Sequence, residues 1–327
     1  MRSKATLYDV AAAAGVSIAT ASKALNDLPV AAVNKIKVLR AATRLGYVVN
    51  DSARALRNSR SHTIGLIFNE LTTARGLGLL DSLSARLESA GYSLICATAR
   101  ADAIAYDTLM ARFLERRVDG LICVTPPQVL PSAQRYRAAG IPIVVLTERS
   151  AAMKAEPLVR ASISEAALAS LADVVKFGHR RILSIDDGSS NLSIANIDPR
   201  WVRGIDIKLL RLTDIESFDA LIKSVVKGSG GPTLISAFEA QAESILAICR
   251  ASNVQVPHRL SIIALTNSIN ERRAQALGLS SLLIRTELLG ENAAVQMIDA
   301  LQNRKVKKEC SVELGVWTLR DSVGNAQ

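Results

Sequence analysis

The sequence has few cysteines, no long apolar run and, over its first sixty residues, few acidic side chains. The four cysteines are far apart, with no C-x-x-C pair and no nearby histidine cluster, so we expect reduced core cysteines and no metal site. Charged residues interrupt every apolar stretch before it is long enough to cross a bilayer. Met1 to Lys4 leads into a helix-like pattern rather than a signal-peptide core, which predicts a soluble cytoplasmic protein with no membrane partner.

The short motifs of common enzyme classes are also missing. There is no G-x-S-x-G, no P-loop and no G-x-G-x-x-G after the first predicted strand. The three histidines, at 62, 179 and 258, have no acid or nucleophile partner nearby in the sequence. We therefore predict a protein that is not an enzyme, with no catalytic residues, no metal and no cofactor.

A basic first segment precedes a nearly neutral body. Residues 1–60 hold ten Lys or Arg and three Asp or Glu, whereas the remaining residues hold 30 and 27, within a net charge of +10. The chain has 327 residues, of which 49% are apolar, and is long enough for two or three packed units. The basic segment is either a solvated tail or a module that binds a polyanion, and its apolar patterning favours the module.

A helix, a tight turn and a second helix are predicted between Thr6 and Leu25. Thr6 to Asp9 has the T-x-x-D form of a capping box, which starts a helix. Gly15 then breaks the helical pattern, and Ser17 offers a second N-cap. The second helix turns Ala21, Ala24 and Leu25 inward. Its outward face carries Ile18, Ala19, Ser22, Lys23 and Asn26.

A third helix is predicted from about Ala31 to Leu45. Its apolar pattern consists of Ile36, Val38, Leu39, Ala42 and Leu45. Gly46 is well placed to end it. Three short helices with such a turn are typical of a unit that reads DNA.

Together these segments resemble the headpiece of the lactose-repressor (LacI/GalR) family. The resemblance is carried by Thr6 to Ser17, Thr20 to Asn26, Leu45-Gly46-Tyr47, and Asn50 with Ala53 and Leu56. The ordered spacing makes it specific. It implies an all-α helix-turn-helix DNA-binding headpiece over residues 1–49, a hinge helix and linker over 50–61, and an effector-binding and dimerisation domain over 62–327.

In the family, the second helix enters the major groove and the first lies across the DNA backbone. The positions that the resemblance assigns to DNA binding are Thr6, Leu7, Tyr8, Ser17, Ile18, Ala19, Thr20, Ser22, Lys23, Asn26, Asn34, Tyr47, Asn50, Ala53 and Leu56. The apolar parts of Leu7 and Tyr47 are expected to lie mostly in the core. Residues 50–57 are either the hinge helix, whose Leu56 wedges into the minor groove, or an ordinary linker.

Several positions depart from the family pattern. Ile18 and Ala19 offer only apolar contact, which suits thymine methyl groups. Lys23 replaces the usual arginine and supplies a point charge rather than a two-pronged guanine reader. Ala31 replaces a capping serine, and Val49 replaces a proline. We expect a different operator sequence and no loss of DNA binding.

From residue 62 onward, short apolar runs alternate with helical patterns. Seven strands are predicted, at His62–Phe68, Tyr92–Thr98, Gly120–Thr125, Ile141–Leu146, Arg181–Ile185, Thr233–Ala237 and Leu260–Leu265. The alternation predicts two α/β lobes with parallel doubly wound sheets and a cleft at the carboxyl ends of the strands. The resemblance continues here more loosely and implies a periplasmic-binding-protein-like fold. The short segment between Gly204 and Phe218 predicts that the second lobe lacks a helix or strand.

Family members dimerise through this domain, and the helix predicted over Leu77 to Ala90 is one candidate contributor. Its leucine stripe consists of Leu79, Leu80, Leu83 and Leu87. The same leucines suit the core of their own lobe, which is the preferred interpretation because such a stripe usually faces its own sheet.

The cleft is the region that departs most from the sugar-sensing members of the family. Their usual polar anchors align with Trp201, Phe238-Glu239 and Thr266, and Arg75 stands where an aromatic residue is common. The candidate effector residues are Arg75, Arg149, Trp201, Phe238, Glu239 and Thr266. They suit a flat or apolar small-molecule effector better than a typical sugar. The alternative is that the aromatic residues only fill the cleft and no effector binds.

These observations predict a homodimeric transcriptional regulator that represses by binding a pseudo-palindromic, double-stranded DNA operator. Two other function classes compete with this interpretation. An enzyme would need the motifs that are missing, and a solute-binding protein of the same fold would need export and have no use for a basic headpiece.

Overall fold

The computed structural model describes residues 5–26, 28–47, 60–68, 74–100, 102–126, 130–147, 156–186, 194, 204–211, 215–227 and 233–325. Its contacts divide the chain into two compact units, Met1–Ser61 and His62–Gln327. Within these described ranges, no helix has the length and apolar character needed to span a membrane.

The described part of the first unit contains three helices, α1 (Leu7–Ala14), α2 (Ile18–Leu25) and α3 (Ala32–Leu45). The predicted capping box starts α1, because the Thr6 amide donates to the Asp9 carboxylate at 2.8 Å and the Asp9 amide donates to Thr6 Oγ1 at 3.3 Å. Both α1 and α3 are followed by a C-cap glycine with positive φ, Gly15 at 64° and Gly46 at 62°. That left-handed conformation favours glycine over residues with a side chain.

The core of this unit is small and consists mainly of alanine. Its buried residues are Val10, Ala11, Ala14, Ala21, Ala24, Val38, Ala41 and Ala42. Leu7 and Tyr47 pack against this core while remaining partly exposed. The predicted apolar pattern of α3 is only partly buried, because Ile36, Leu39 and Leu45 are 51%, 45% and 37% exposed. The two eight-residue helices α1 and α2 cover one side of α3, and the other apolar residues of α3 face outward.

The described strands and helices of the second unit alternate as the sequence predicts. The strands are β1 (Thr63–Phe68), β2 (Ser93–Thr98), β3 (Gly120–Val124), β4 (Ile143–Thr147), β5 (Leu158–Ser162), β6 (Arg181–Asp186), β7 (Asp206–Arg211), β8 (Thr233–Phe238), β9 (Leu260–Asn267), β10 (Ser280–Ile284), β11 (Glu309–Glu313) and β12 (Gly315–Thr318). The helices are α4 (Ala74–Ser89), α5 (Ala103–Glu115), α6 (Ser132–Ala138), α7 (Ser164–Lys176), α8 (Ile215–Lys227), α9 (Glu239–Ala251), α10 (Glu271–Ala276) and α11 (Thr286–Leu301).

Two sheets with the same strand order form two lobes. The first has the order β2-β1-β3-β4-β5-β11 and is parallel throughout. The second has the order β7-β6-β8-β9-β10-β12, with only β12 antiparallel to its neighbour. The chain passes between the lobes through α7, through α11, and from β11 to β12. The predicted fold class, a helical headpiece followed by two doubly wound α/β lobes, is confirmed.

All seven predicted strands are present, and five further strands were missed. Four of the five, β7, β11, β12 and β5, are edge strands or next to an edge. Exposed polar residues interrupt β7 and β11, Arg160 interrupts β5, and β12 has only four residues. The fifth, β10, is a buried run whose length alone does not distinguish a strand from a helix. The short segment between Gly204 and Phe218 contains β7 and the start of α8, and both sheets have six strands, so the expectation that the second lobe lacks a strand is wrong.

The leucine stripe of α4 faces the core of its own lobe. Leu79, Leu83 and Leu87 are buried there, and Leu80 packs against them. Cysteines 123 and 249 are buried, as expected of core cysteines. Cys96 is exposed instead, because it lies on the edge strand β2.

Candidate nucleic-acid interface and ligand cleft

Helix α2 presents one mixed face to solvent. Ala21 and Ala24 are buried against α1 and α3, and this orientation leaves Ile18, Ala19 and Lys23 exposed. Ser17 fixes the start of the helix, since its Oγ accepts a hydrogen bond from the Thr20 amide at 3.1 Å and lies 2.8 Å from Thr20 Oγ1. The predicted outward residues of α2 therefore lie together on one surface.

Asn26 is held more tightly than the sequence indicated. Its Nδ2 donates to the Ser22 carbonyl at 2.6 Å at the end of α2, and the residue is only partly exposed. Its buried Oδ1 has no hydrogen-bond partner in the described part of the chain. The structure thus gives Asn26 a role in ending the helix, beside any contact it makes with a ligand.

The start of α1 forms a second polar surface on the first unit. Thr6 is exposed and hydrogen-bonded to Asp9, and Tyr8 is 72% exposed. Asn34 is partly exposed in the first turn of α3. The three predicted hinge positions, Asn50, Ala53 and Leu56, lie outside the described residues.

The dimensions and chemistry of α2 fit the major groove of DNA. Its eight residues extend for about 12 Å, and a helix of ordinary diameter fits a major groove that is about 12 Å wide. Ile18 and Ala19 present methyl groups, and Lys23 presents a positive charge. This face is able to combine apolar contacts to thymine methyls with an ionic contact.

In the second unit, strand order identifies where a ligand would bind. Ligands of doubly wound sheets bind outside the carboxyl ends of the strands, where the strand order reverses. In this chain these points are the β1/β3 pair in the first lobe and the β6/β8 pair in the second. Phe238 ends β8, and Glu239 begins α9 directly after it. Two of the predicted effector residues are therefore at the expected place.

Glu239 is buried without full compensation of its charge. It is 7% exposed, and its Oε2 atom has no hydrogen-bond partner among the residues that the structure describes. Burial raises the pKa of Glu239 above its ordinary value of 4.5, and a hydrogen bond with Asn270 opposes that rise. A carboxyl in this state is a candidate to bind a hydrogen-bond donor or a cation.

Thr266 belongs to an internal network instead of facing open space. It is 2% exposed, and its Oγ1 donates to Glu271 Oε2 at 2.5 Å. The other oxygen of Glu271 accepts from Ser281 Oγ at 2.8 Å and from Arg320 Nη2 at 2.5 Å. Thr266 therefore already uses its hydroxyl donor within the protein.

For the other three predicted effector residues, the structure describes no side chain. Arg149 and Trp201 lie outside the described residues. Arg75 lies in the first turn of α4, and only its backbone is described.

Thr125 is a candidate that the sequence did not reveal. It directly follows β3 at the reversal point of the first lobe and has a φ of 45°. This conformation is strained for a β-branched residue, and such strain is concentrated at functional sites. No sequence motif predicts this residue, because its positive φ depends on how the loop folds.

A cavity of about 240 Å³ lies at the amino ends of the strands of the second sheet, opposite the carboxyl ends where a ligand is expected. Its walls include Val254 and Val256, which precede β9, and Leu277 and Gly278, which precede β10. The amino ends of parallel strands are not where doubly wound sheets bind their ligands. In the described ranges, no cluster of His, Cys, Asp or Glu has the arrangement needed to hold a metal ion.

Two sequence profiles match the chain. One, described as "Bacterial regulatory proteins, lacI family", covers residues 6–50, and the other, described as "Periplasmic binding protein-like domain", covers residues 195–323. The first includes α1 to α3, and the second includes β7 to β12.

Curated relatives are transcriptional regulators. The sucrose operon repressor of Klebsiella pneumoniae is 34% identical over 161 residues, which are 48% of this chain and 47% of that repressor. The chain thus aligns with about half the length of this relative. The HTH-type transcriptional repressor PurR of Yersinia enterocolitica is 26% identical over 322 residues, or 92% of each chain.

A crystal structure of the Lac repressor dimer, bound to operator and the anti-inducer ONPF, has the same fold. The TM-score is 0.78, and the superposition covers 98% of this chain and 100% of that one. The sequences are 19% identical in this alignment.

Proposed function

We propose that this chain is a cytoplasmic transcriptional repressor of the lacI family of bacterial regulatory proteins and that it binds operator DNA as a homodimer. The observation that carries the proposal is the exposed face of α2, held in a capped helix-turn-helix within the residues that match the family profile. The proposed division is a headpiece over residues 1–49, a hinge over 50–61 and a sensor domain over 62–327. No enzymatic activity is proposed.

In the proposed complex, α2 enters the major groove. Ile18 and Ala19 contact thymine methyl groups, and Lys23 contacts a phosphate or a base edge. Thr6 and Tyr8 at the start of α1 contact the backbone, which sets the position of α2 without reading sequence. A two-fold dimer then reads two half-sites of a pseudo-palindrome.

The proposed hinge contributes a second kind of contact. Asn50 starts a helix in which Ala53 packs against the partner protomer and Leu56 wedges into the minor groove. Such a wedge unstacks a base step and bends the duplex. Effector binding in the sensor domain controls repression by changing how easily the two hinge helices pair.

The proposed effector site lies at the carboxyl ends of the strands. Trp201 and Phe238 stack on a flat or apolar molecule, Glu239 accepts a hydrogen bond from it, and Arg75 and Arg149 orient it. Thr125 lies at the corresponding position in the first lobe. A sugar effector is the competing hypothesis, because one relative represses a sucrose operon.

The function is tested by selecting sequences from random duplexes with the full-length protein and measuring fluorescence anisotropy over a salt series. We expect a pseudo-palindromic sequence to emerge and to bind at least about a thousandfold more tightly than a scrambled duplex. Selection of no common sequence, with equal binding to all duplexes, would contradict operator recognition.

The hinge is tested with Leu56→Ala. We expect a large loss of operator affinity and little change in binding to scrambled duplex, because the wedge unstacks and bends the DNA only in the operator complex. An equal loss on both duplexes would refute the wedge.

The effector class is tested by adding simple sugars and flat aromatic compounds to the operator complex. We expect sugars to leave operator affinity unchanged and an aromatic compound to shift it. A tenfold shift by a simple sugar, equivalent to about 1.4 kcal/mol, would reverse the proposed class.

A further inference from the structure

Helices α1 and α3 form a positively charged groove on the first unit. We call it the α1–α3 groove, and its volume is about 360 Å³. The residues that line it are Ala13, Ala14, Lys37, Arg40, Ala41 and Arg44. None of these residues belongs to α2, and none is among the α1 and α3 positions that the resemblance assigns to DNA binding, so the groove is distinct from the proposed operator contacts.

The three cations of the groove share one face of α3. Lys37, Arg40 and Arg44 are spaced by three and four residues, which makes them neighbours on a helix surface, and all three are exposed. Asp9 is the only carboxylate in the described part of this unit, and it is hydrogen-bonded to Thr6. Among the described residues, no carboxylate forms an ion pair with the three cations.

The rest of the groove neither neutralises nor obstructs these charges. α1 ends at Ala14, and a helix carboxyl end carries only about half a negative charge against the three full positive charges. Ala13 and Ala14 have no side-chain atoms beyond Cβ, so a bulky partner is able to approach closely. The groove therefore fits an extended anion with several regularly spaced charges.

We propose that the α1–α3 groove binds the phosphate backbone of a second DNA duplex, distinct from the operator read by α2. From Lys37 to Arg44 the helix rises about 10.5 Å. One strand of B-DNA carries a phosphate every ~3.4 Å along its axis, so about three phosphates lie within that rise. Three cations then meet three phosphates. This function goes beyond operator binding, because it lets an operator-bound protein hold a neighbouring DNA segment.

The first experiment measures how many duplexes the full-length protein binds at saturation, using a short random-sequence duplex at low salt. The test variant carries Lys37→Ala, Arg40→Ala and Arg44→Ala together, and alanine preserves helix propensity. The control variant carries Lys305→Ala, Lys307→Ala and Lys308→Ala, which remove the same charge from exposed positions of the second unit. We expect the test variant to bind one duplex fewer per protomer than the wild-type and control proteins.

The second experiment uses the operator found by selection, immobilised and saturated with protein, and a fluorescent random-sequence duplex in solution. Wild-type and control complexes should recruit the fluorescent duplex, with a log–log salt slope of roughly −2.7 for three phosphate contacts. The test variant should recruit little of it. Its operator affinity should stay close to wild type at physiological salt, where charges beyond about 8 Å are screened.

The outcomes separate this proposal from the proposed function. Unchanged duplex stoichiometry in the test variant overturns the groove proposal. A loss of operator affinity as large as the loss of recruitment also overturns it, because the groove would then belong to the operator interface. Binding of polyglutamate in place of duplex would assign the groove to an acidic protein partner. If no operator is selected but the stoichiometry falls as expected, operator reading fails while the groove proposal stands.

Discussion

Two glutamates in the second lobe have different environments although they interact with each other. Glu271 is paired with Arg320, and it also accepts hydrogen bonds from Thr266 and Ser281. Glu239 is more deeply buried, and one of its oxygens has no partner among the described residues. The charge of Glu271 is therefore compensated within the protein, whereas that of Glu239 destabilises the fold unless a ligand compensates it.

The substitution Glu239→Gln should stabilise the protein in a pH-dependent way. Because burial raises the pKa of Glu239 in the folded state, this carboxyl binds a proton more tightly there than in the unfolded chain. Its contribution to stability is present below the unfolded value of 4.5 and is lost as the pH rises through the folded pKa. Thermal midpoints of the wild type and the variant should agree near pH ~4 and diverge in favour of the variant toward pH ~7.

The control for this measurement is Glu291→Gln, which changes an exposed glutamate of α11. It should leave the thermal midpoint unchanged. Parallel midpoints for Glu239→Gln and wild type at every pH would show that burial does not affect this carboxyl.

At the scale of elements, the helices of the first unit differ in how they begin. The N-cap residue of α2 is Ser17, which accepts a hydrogen bond from the Thr20 amide. The N-cap residue of α3 is Ala31, which has no side-chain oxygen and makes no such bond. Because this unit has a small alanine core, the caps are a substantial part of what holds its helices.

Removing the N-cap side chain of α2 and adding one to α3 should have opposite effects on helix stability. We expect Ser17→Ala to destabilise α2 by about 1 kcal/mol and Ala31→Ser to stabilise α3 by a similar amount. Hydrogen exchange of peptides from α2 and α3 measures both changes. Ser17→Asp, which keeps a capping oxygen, is the matched control, and protection equal to Ser17→Ala in that variant would contradict the capping role.

The crossing of α4 and α11 depends on a glycine. A Cβ atom at Gly290 would meet Ser82 Oγ and the Leu79 carbonyl oxygen, and would lie 3.1 Å from the Leu83 amide nitrogen. Two of these are backbone atoms in the partner helix, so they cannot move without displacing α4. Close approach of the two helices therefore requires a residue without a side chain at this position.

We expect Gly290→Ala to destabilise the second unit by about 1–3 kcal/mol, because the added methyl overpacks the crossing. Urea unfolding followed by tryptophan fluorescence measures the change, because both tryptophans lie in the second unit. Glu291→Ala, at an exposed position of the same helix, is the control. A Gly290→Ala protein as stable as the control would show that the helices separate at little cost.

At the scale of the whole molecule, the two units have cores of different composition. The core of the first unit consists of six buried alanines and two buried valines. The second contains large aliphatic and aromatic side chains that are fully buried, including Tyr106, Tyr136 and Met110. Since a unit of about 60 residues is only marginally stable and alanine buries little apolar area, the first unit should be the less stable one.

Heating should therefore unfold the chain in two steps. The first step should remove helical circular dichroism without changing tryptophan fluorescence, because both tryptophans, at 201 and 317, lie in the second unit. Added operator duplex should raise the first midpoint, since it binds the folded headpiece. A single transition seen equally by both signals would show that the units unfold together.

The order of residues alone was enough to predict the helices, caps and turn of the headpiece and seven of the twelve strands described in the second unit. These features depend on contacts between residues three or four apart, or on continuous apolar runs, and both are visible in the order of residues. Three features become visible only in the folded chain: which apolar residues of α3 stay exposed, where the five remaining strands join the sheets, and that Thr266 belongs to an internal network. Those outcomes depend on partners far away in the chain, such as the Arg320 to Glu271 pair, whose proximity exists only once the lobe has folded.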